Sequence, residues 1–403
     1  MNTTSQAKKR GTVSRREAVA VLVGGMIAGP ALAQSVRGVT STSIKVGATL
    51  ALTGPVAAAH EQMRAGQYAY MRMINDRGGV GGRKIDMVFE DNEFSAQRGL
   101  TAIRKLVQRD DIFVLLGSNG VAQINPALPF LEEQGVPLIN AYTGIREWFE
   151  PPRRNIYGVL THVEYCAHAL GRWAAKEGHK KILVPYFDAA FAKAFSQYVL
   201  PGAQSVLPDA QVEWIPVKVG TQDYVPLALE MIRRQPDAIV GCTVITEFVA
   251  MVKQLRVQGS TVPIYTLPFN VMNYLAALGP AEMEGVKGFS FTTAPTEDTA
   301  AMREYREALA KYVPSQTPDF TSLFTFAGAK IFVEALSRVK GDLSTRSLYD
   351  ALNSLKNYDT GILPPISFSD TNHQGTSGLF PMEVRKGFWV RTGAVIDAAA
   401  GTW

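Results

Sequence analysis

The stretch Ile112-Phe113-Val114-Leu115-Leu116-Gly117-Ser118 decides the fold class. Its first five positions are all apolar. A strand with one face in water alternates, whereas an unbroken apolar run belongs to a strand covered on both faces, as in a parallel sheet. The neighbouring segments fit such a sheet. Before it, residues 95–109 space Leu100, Ile103, Leu106 and Val107 along one helix face, and residues 84–90 alternate as a strand. After it, residues 124–134 read as a helix and 136–140 as a strand. Further upstream come a β-rich run at 43–48, a turn at Leu52-Thr53-Gly54-Pro55 and a helix at 57–77, stopped by Gly78-Gly79-Val80-Gly81-Gly82. Strand and helix alternate throughout, which predicts a doubly wound α/β domain.

The pattern restarts after Tyr157. Helices are expected at 166–178, 191–203, 224–234 and 247–259, interleaved with strands at 181–185, 212–217, 238–241 and 263–266. Three more helices, at 299–312, 322–338 and 347–355, precede a β-rich tail at 367–391. A chain of 403 residues exceeds what one core usually fills, so two α/β lobes are expected.

Residues 1–33 read as an export signal. A basic segment ends in Ser14-Arg15-Arg16, an apolar glycine-rich run follows to Ile27, and Ala31-Leu32-Ala33 offers a small-x-small cleavage site before Gln34. The paired arginines resemble a twin-arginine signal, with an ordinary Sec signal as the alternative. The apolar run falls short of the ~20 residues that span a bilayer, and no later segment reads as long and apolar enough. No cysteine follows the cleavage site to carry a lipid. Lys8, Lys9, Arg10, Arg15 and Arg16 against Glu17 hold most of the chain's net charge of +5. The remainder is nearly neutral, which removes the electrostatic case for a nucleic-acid partner. Cys166 falls on a helix and Cys242 at a strand end, so two separate thiols are expected.

Thr53-Gly54-Pro55-Val56-Ala57, then Gly66, then Ile74-Asn75-Asp76-Arg77-Gly78-Gly79-Val80-Gly81-Gly82-Arg83, resembles the opening of the branched-chain amino-acid-binding proteins, the type I periplasmic solute-binding proteins of ABC importers. Gly117-Ser118, Ala141-Tyr142-Thr143 and Asp188-Ala189-Ala190-Phe191-Ala192-Lys193 fall at that family's ligand loops. The resemblance covers about residues 43–395. It implies two Rossmann-like lobes joined by a hinge of three crossovers: residues 43–159 with 291–360, and residues 160–290 with 361–403. Ligand would sit in the cleft between them. It also implies a monomer outside the cytoplasmic membrane that delivers an amino acid or small organic carboxylate to permease subunits.

Ser118 follows a strand and precedes a helix, where a hydroxyl and free backbone N–H groups can take a carboxylate; the bland alternative is a loop or cap serine. Ala141 and Thr143 follow the next strand, at the carboxyl ends where open α/β sheets bind ligands. Phe191 stands where the family often has a tyrosine packed on the ligand, and Phe187 and Tyr142 could add walls. Thr243, Thr246 and Glu247 follow strand 238–241 on the second lobe's side. Two positions depart from the family. Ala59 replaces a common aromatic residue. Phe269, within Leu267-Pro268-Phe269-Asn270, stands where the family usually supplies a glutamate for the ligand's α-ammonium. A buried ammonium without such a partner is costly, so a carboxylate without one, aromatic acids included, becomes a candidate. Glu247 could replace the acid, or could simply be a charge favoured at a helix start.

No catalytic constellation is present. His60, His162, His168, His179 and His373 show no metal-ligand spacing. Gly78–Gly82 follows a helix rather than opening one, so it is a turn and not a dinucleotide site. No cofactor is expected. The rivals to a transport receptor are an enzyme and an exported sensor on the same fold, including a receptor for amides.

Overall fold

In the computed structural model, residues 36–401 are described except Pro55, Val219 and Val244, with Ile245 and Thr246 described in backbone only. The export signal and Gln34 lie outside the described residues, as does the Thr246 side chain.

The first sheet contains β1 (Ser43–Leu50), β2 (Lys84–Asp91), β3 (Val114–Leu116), β4 (Leu138–Ile139) and β5 (Ile156–Tyr157). Its order is β2-β1-β3-β4-β5, and every pair is parallel. The second sheet contains β6 (Lys181–Phe187), β7 (Gln211–Val217), β8 (Ala238–Gly241), β9 (Ile264–Thr266), β10 (Lys287–Ser290), β11 (Gly378–Arg385) and β12 (Phe388–Arg391), with β13 (Ile396–Asp397) on β11. Its order is β12-β11-β10-β9-β8-β6-β7; β6 to β10 are parallel and the β10-β11-β12 edge is antiparallel.

The chain leaves the first sheet after β5 and builds β6 to β10. It returns with helices Ala300–Tyr312 and Phe320–Arg338, which pack on helix Ala57–Asp76, and it ends in β11 to β13. It therefore crosses between the lobes three times. This is an α/β fold of two doubly wound lobes, the type I periplasmic binding architecture.

Helix Phe320–Arg338 explains how the late segment is held. It is apolar around most of its circumference, with Lys330, Glu334 and Arg338 along one polar stripe, which suits a helix largely surrounded by protein, and its buried residues run from Phe320 to Leu336. By length and composition it could span a membrane, contrary to the sequence expectation that no later segment could. With 83% of its apolar window buried, it is a core helix instead. Gly66 lets helix Ala57–Asp76 approach it. A Cβ there would lie 2.0 Å from the Ser322 carbonyl oxygen, and one turn away Thr325 Oγ1 donates to the Met63 carbonyl at 2.8 Å.

Some elements differ from the sequence reading. The strand expected at 112–116 pairs only over Val114–Leu116. The helix expected at 124–134 is three pieces, Val121–Ile124, a 3₁₀ turn Asn125–Ala127 and Leu128–Glu133. Pro126 and Pro129 remove the N–H donors that would join them. The helix expected at 191–203 divides into Ala190–Ser196 and Val199–Gln204. Cys166 and Cys242 are free and buried, and burial pushes both thiols up.

Candidate functional site: the strand ends of the two lobes

Strand order reverses between β1 and β3 in the first sheet and between β6 and β8 in the second. Such reversals open crevices at the carboxyl ends of the strands. Ser118 bridges the first. Its Oγ accepts from the Thr49 N–H of β1 at 3.0 Å, and its carbonyl accepts from the Tyr142 N–H beyond β4 at 2.8 Å. Gly117 makes the turn possible: its φ is +62°, and a Cβ would sit 2.3 Å from Gln67 Nε2, which itself donates to the Gly117 carbonyl at 3.0 Å. The helix after Ser118 has only four residues, so the expected help from a long helix start is absent. Ala141 and Thr143 form a tight turn closed by Thr143 N–H to the Ala141 carbonyl at 2.8 Å, and both are buried.

On the second lobe, Tyr186 pairs with Cys242 across the other reversal, which places Phe187 and Thr243 side by side at strand ends. Thr243 is buried, and its Oγ1 has no hydrogen-bond partner among the described residues. Its carbonyl accepts from Asn270 Nδ2 at 2.7 Å, which ties the turn bearing Phe269 to the end of β8.

The two sides meet in aromatic rings. Tyr142, from the β4 end, lies 5.9 Å edge-on from Phe269 and 5.0 Å from Phe324; Phe269 lies 5.4 Å from Phe291. Ser118, Ala141, Thr143, Thr243 and Phe269 thus form one continuous neighbourhood. Phe191 stands apart from these rings. It is 60% exposed, flanked by Phe187 at 4.9 Å and Phe195 at 6.0 Å. Glu247 Oε1 lies 3.4 Å from the Gly220 N–H, so its carboxylate turns to that loop.

Three residues near the site escaped sequence reasoning. His60 is buried beside the β1 end; its Nδ1 accepts from the Ala51 N–H at 2.6 Å and its Nε2 lies 2.9 Å from Asn119 Nδ2. Burial pushes its pKa down to about 4, with Asp91's charge opposing. Asn119 pairs with Tyr142 across the strand ends. Asp319 stands at the position before helix Phe320–Arg338 without a side-chain hydrogen bond to the helix start; its carboxylate accepts from the Tyr274 N–H at 3.2 Å, and burial pushes its pKa up to about 6 against the pull of backbone N–H groups. No sequence signal marks them, because each depends on a partner that only folding brings to it. No group of three or more His, Cys, Asp or Glu side chains able to hold a metal occurs among the described residues.

Comparison with known proteins agrees with this fold. The family model described as periplasmic binding protein matches residues 43–388. Leu/Ile/Val-binding protein homolog 7 of Brucella abortus (strain 2308) is 23% identical over 319 residues, covering 75% of this chain and 78% of the relative. Among solved structures, a branched-chain amino acid ABC transporter protein from Thermus thermophilus with bound valine superposes with a TM-score of 0.81 at 20% identity, covering 90% of this chain and 98% of its own. A fatty acid ABC transporter substrate-binding protein from Thermomonospora curvata gives 0.79 at 21% identity, covering 92% and 98%. The chain belongs to the periplasmic binding protein family, of the Leu/Ile/Val-binding type, whose members are substrate-binding proteins of transporters and not enzymes.

Proposed function

We propose that this chain is the exported, monomeric substrate-binding component of an ABC importer, and that it takes a small organic carboxylate with an apolar or aromatic body. The carrying observation is the Tyr142–Phe269 contact beside Ser118. By the resemblance to the family, the Phe269 ring stands where an acid would meet an ammonium, and it lies close to the Ser118 and Thr143 turns proposed to take the carboxylate. Ser118 and Thr143 supply donors at one end of the site. Tyr142, Phe269 and Thr243 line the other, and Phe191 waits exposed on the second lobe's lip. A solved neighbour from Thermomonospora curvata is named as a fatty acid ABC transporter substrate-binding protein, which supports an apolar carboxylate here.

Residues 43–159 with 291–360 would then move against residues 160–290 with 361–403, closing on ligand. Residues 1–33 would direct export to the periplasm and be removed after Ala33. Lysine in place of both Arg15 and Arg16 should abolish periplasmic accumulation if the twin-arginine route is used; unchanged accumulation would point to Sec.

A second reading is a branched-chain amino-acid receptor, favoured by the valine-bound Thermus neighbour. It requires an acid for the ammonium, and Glu247 faces Gly220. A thermal-shift screen of amino acids, aromatic acids, short acids and amides separates the readings. Stabilisation by acids without an ammonium supports the proposal; stabilisation by amino acids alone overturns it.

A further inference from the structure

Proton placement on His60 reaches into the site. The Ala51 N–H points at His60 Nδ1 from 2.6 Å, so Nδ1 must be the unprotonated nitrogen. A buried neutral ring then carries its proton on Nε2. That N–H faces the Asn119 side-chain amide, whose Nδ2 lies 2.9 Å away. Two donors cannot share this contact. A half-turn of the amide leaves its shape unchanged and places Oδ1 on the Nε2–H, satisfying both. The turn gives up only a weak N–H contact to Met63 Sδ at 3.5 Å. The other end of the amide makes no hydrogen bond among the described residues, and Asn119 is only half-buried.

We infer that His60 is a positioning residue. Its Nε2–H holds the Asn119 oxygen, and the Asn119 NH₂ group is thereby turned toward the cleft beside Ser118, where it donates to an anionic ligand group. This rests on the carboxylate reading above. It adds a donor fixed in direction by helix Ala57–Asp76, and it selects acceptors: a carboxylate is favoured there and an ammonium is repelled. Asn119 adjoins Ser118 in sequence, its backbone N–H binds the Thr49 carbonyl at 3.3 Å, and it pairs with Tyr142. The donor therefore moves with the same turn that carries the serine.

The test has two arms on the full-length protein. Nitrogen-15 NMR of the His60 ring, assigned by loss of its signals in His60→Gln, should show Nε2 protonated and Nδ1 bare from pH 5 to 8. The opposite tautomer, or an imidazolium forming in that window, would overturn the inference without touching the carboxylate reading. Calorimetry with benzoate and 4-methylpentanoate then compares Asn119→Ala and Asn119→Asp with the native chain. The aspartate keeps the contact to His60 but turns a negative oxygen into the cleft. It should bind both probes at least tenfold more weakly than native, and more weakly than the alanine variant. Equal affinity of all three, with unchanged melting temperatures, would overturn the role in binding. A native chain that binds neither probe would remove the carboxylate reading and this role together, while the ring tautomer still reports on the positioning.

Discussion

At the scale of single residues, the site is held by groups buried at some electrostatic cost. Asp319 shows this most directly. Its pKa is raised from 3.8 to about 6, chiefly by burial. Between those values the folded state binds a proton that the unfolded state does not, so stability falls as pH rises through that window and stays lower at pH 7. Asp319→Asn keeps an oxygen to accept from the Tyr274 N–H and removes the charge. It should stabilise the protein at pH 7 by up to about 3 kcal/mol, with the gain vanishing near pH 4. Urea unfolding of both proteins at pH 4 and 7 checks this; a variant less stable at pH 7 would show that the carboxylate charge itself is used. His60 carries the opposite sign. Its pKa is lowered from 6.5 to about 4, so the unfolded state takes the proton first and stability is lost as pH falls below 6.5. Gly117 is a third test. Alanine there must adopt φ +62° and meet Gln67 Nε2, and should cost on the order of 1–3 kcal/mol by denaturant unfolding.

At the scale of elements, the contact between helices Ala57–Asp76 and Phe320–Arg338 decides whether the late segment belongs with the first sheet. Gly66→Leu puts a side chain into the Ser322 carbonyl and should destabilise by at least about 3 kcal/mol, a loss that thermal unfolding would reveal. The elements also show what the sequence discloses. Strand Ala238–Gly241 is legible to the residue because both of its faces are buried and no competing pattern exists. Residues 124–134 mislead because Ile124, Leu128 and Leu131 keep helical spacing and burial across two prolines that interrupt the hydrogen bonding. Strand Lys287–Ser290 carries no clear pattern in sequence: only Phe289 is strongly apolar, and pairing with β9 and β11 defines it. The site follows the same logic. Ser118 and Thr143 are legible because each follows an apolar strand. His60, Asn119 and Asp319 are not, because their meaning lies in the Ala51, Tyr142 and Tyr274 backbones that folding brings to them.

At the scale of the whole molecule, the proposed function has the two lobes share one ligand. Ser118 and Thr143 stand on one and Thr243 and Phe269 on the other, so a ligand touching both favours the closed arrangement by its differential contacts. Small-angle scattering should show a smaller radius of gyration with a bound acid than without; identical curves would contradict a hinged receptor. The proposed ligand chemistry keeps a carboxylate grip at Ser118 and Thr143 and loses the ammonium grip at Phe269. A desolvated ammonium without its charged partner forfeits on the order of 1.5–3 kcal/mol, more than tenfold in affinity. Calorimetry of the native protein with leucine, with 4-methylpentanoate, which is leucine without its ammonium, and with benzoate tests this most directly. At least one of the two acids should bind at least tenfold more tightly than leucine; tight leucine binding with no response to either acid would contradict this ligand chemistry.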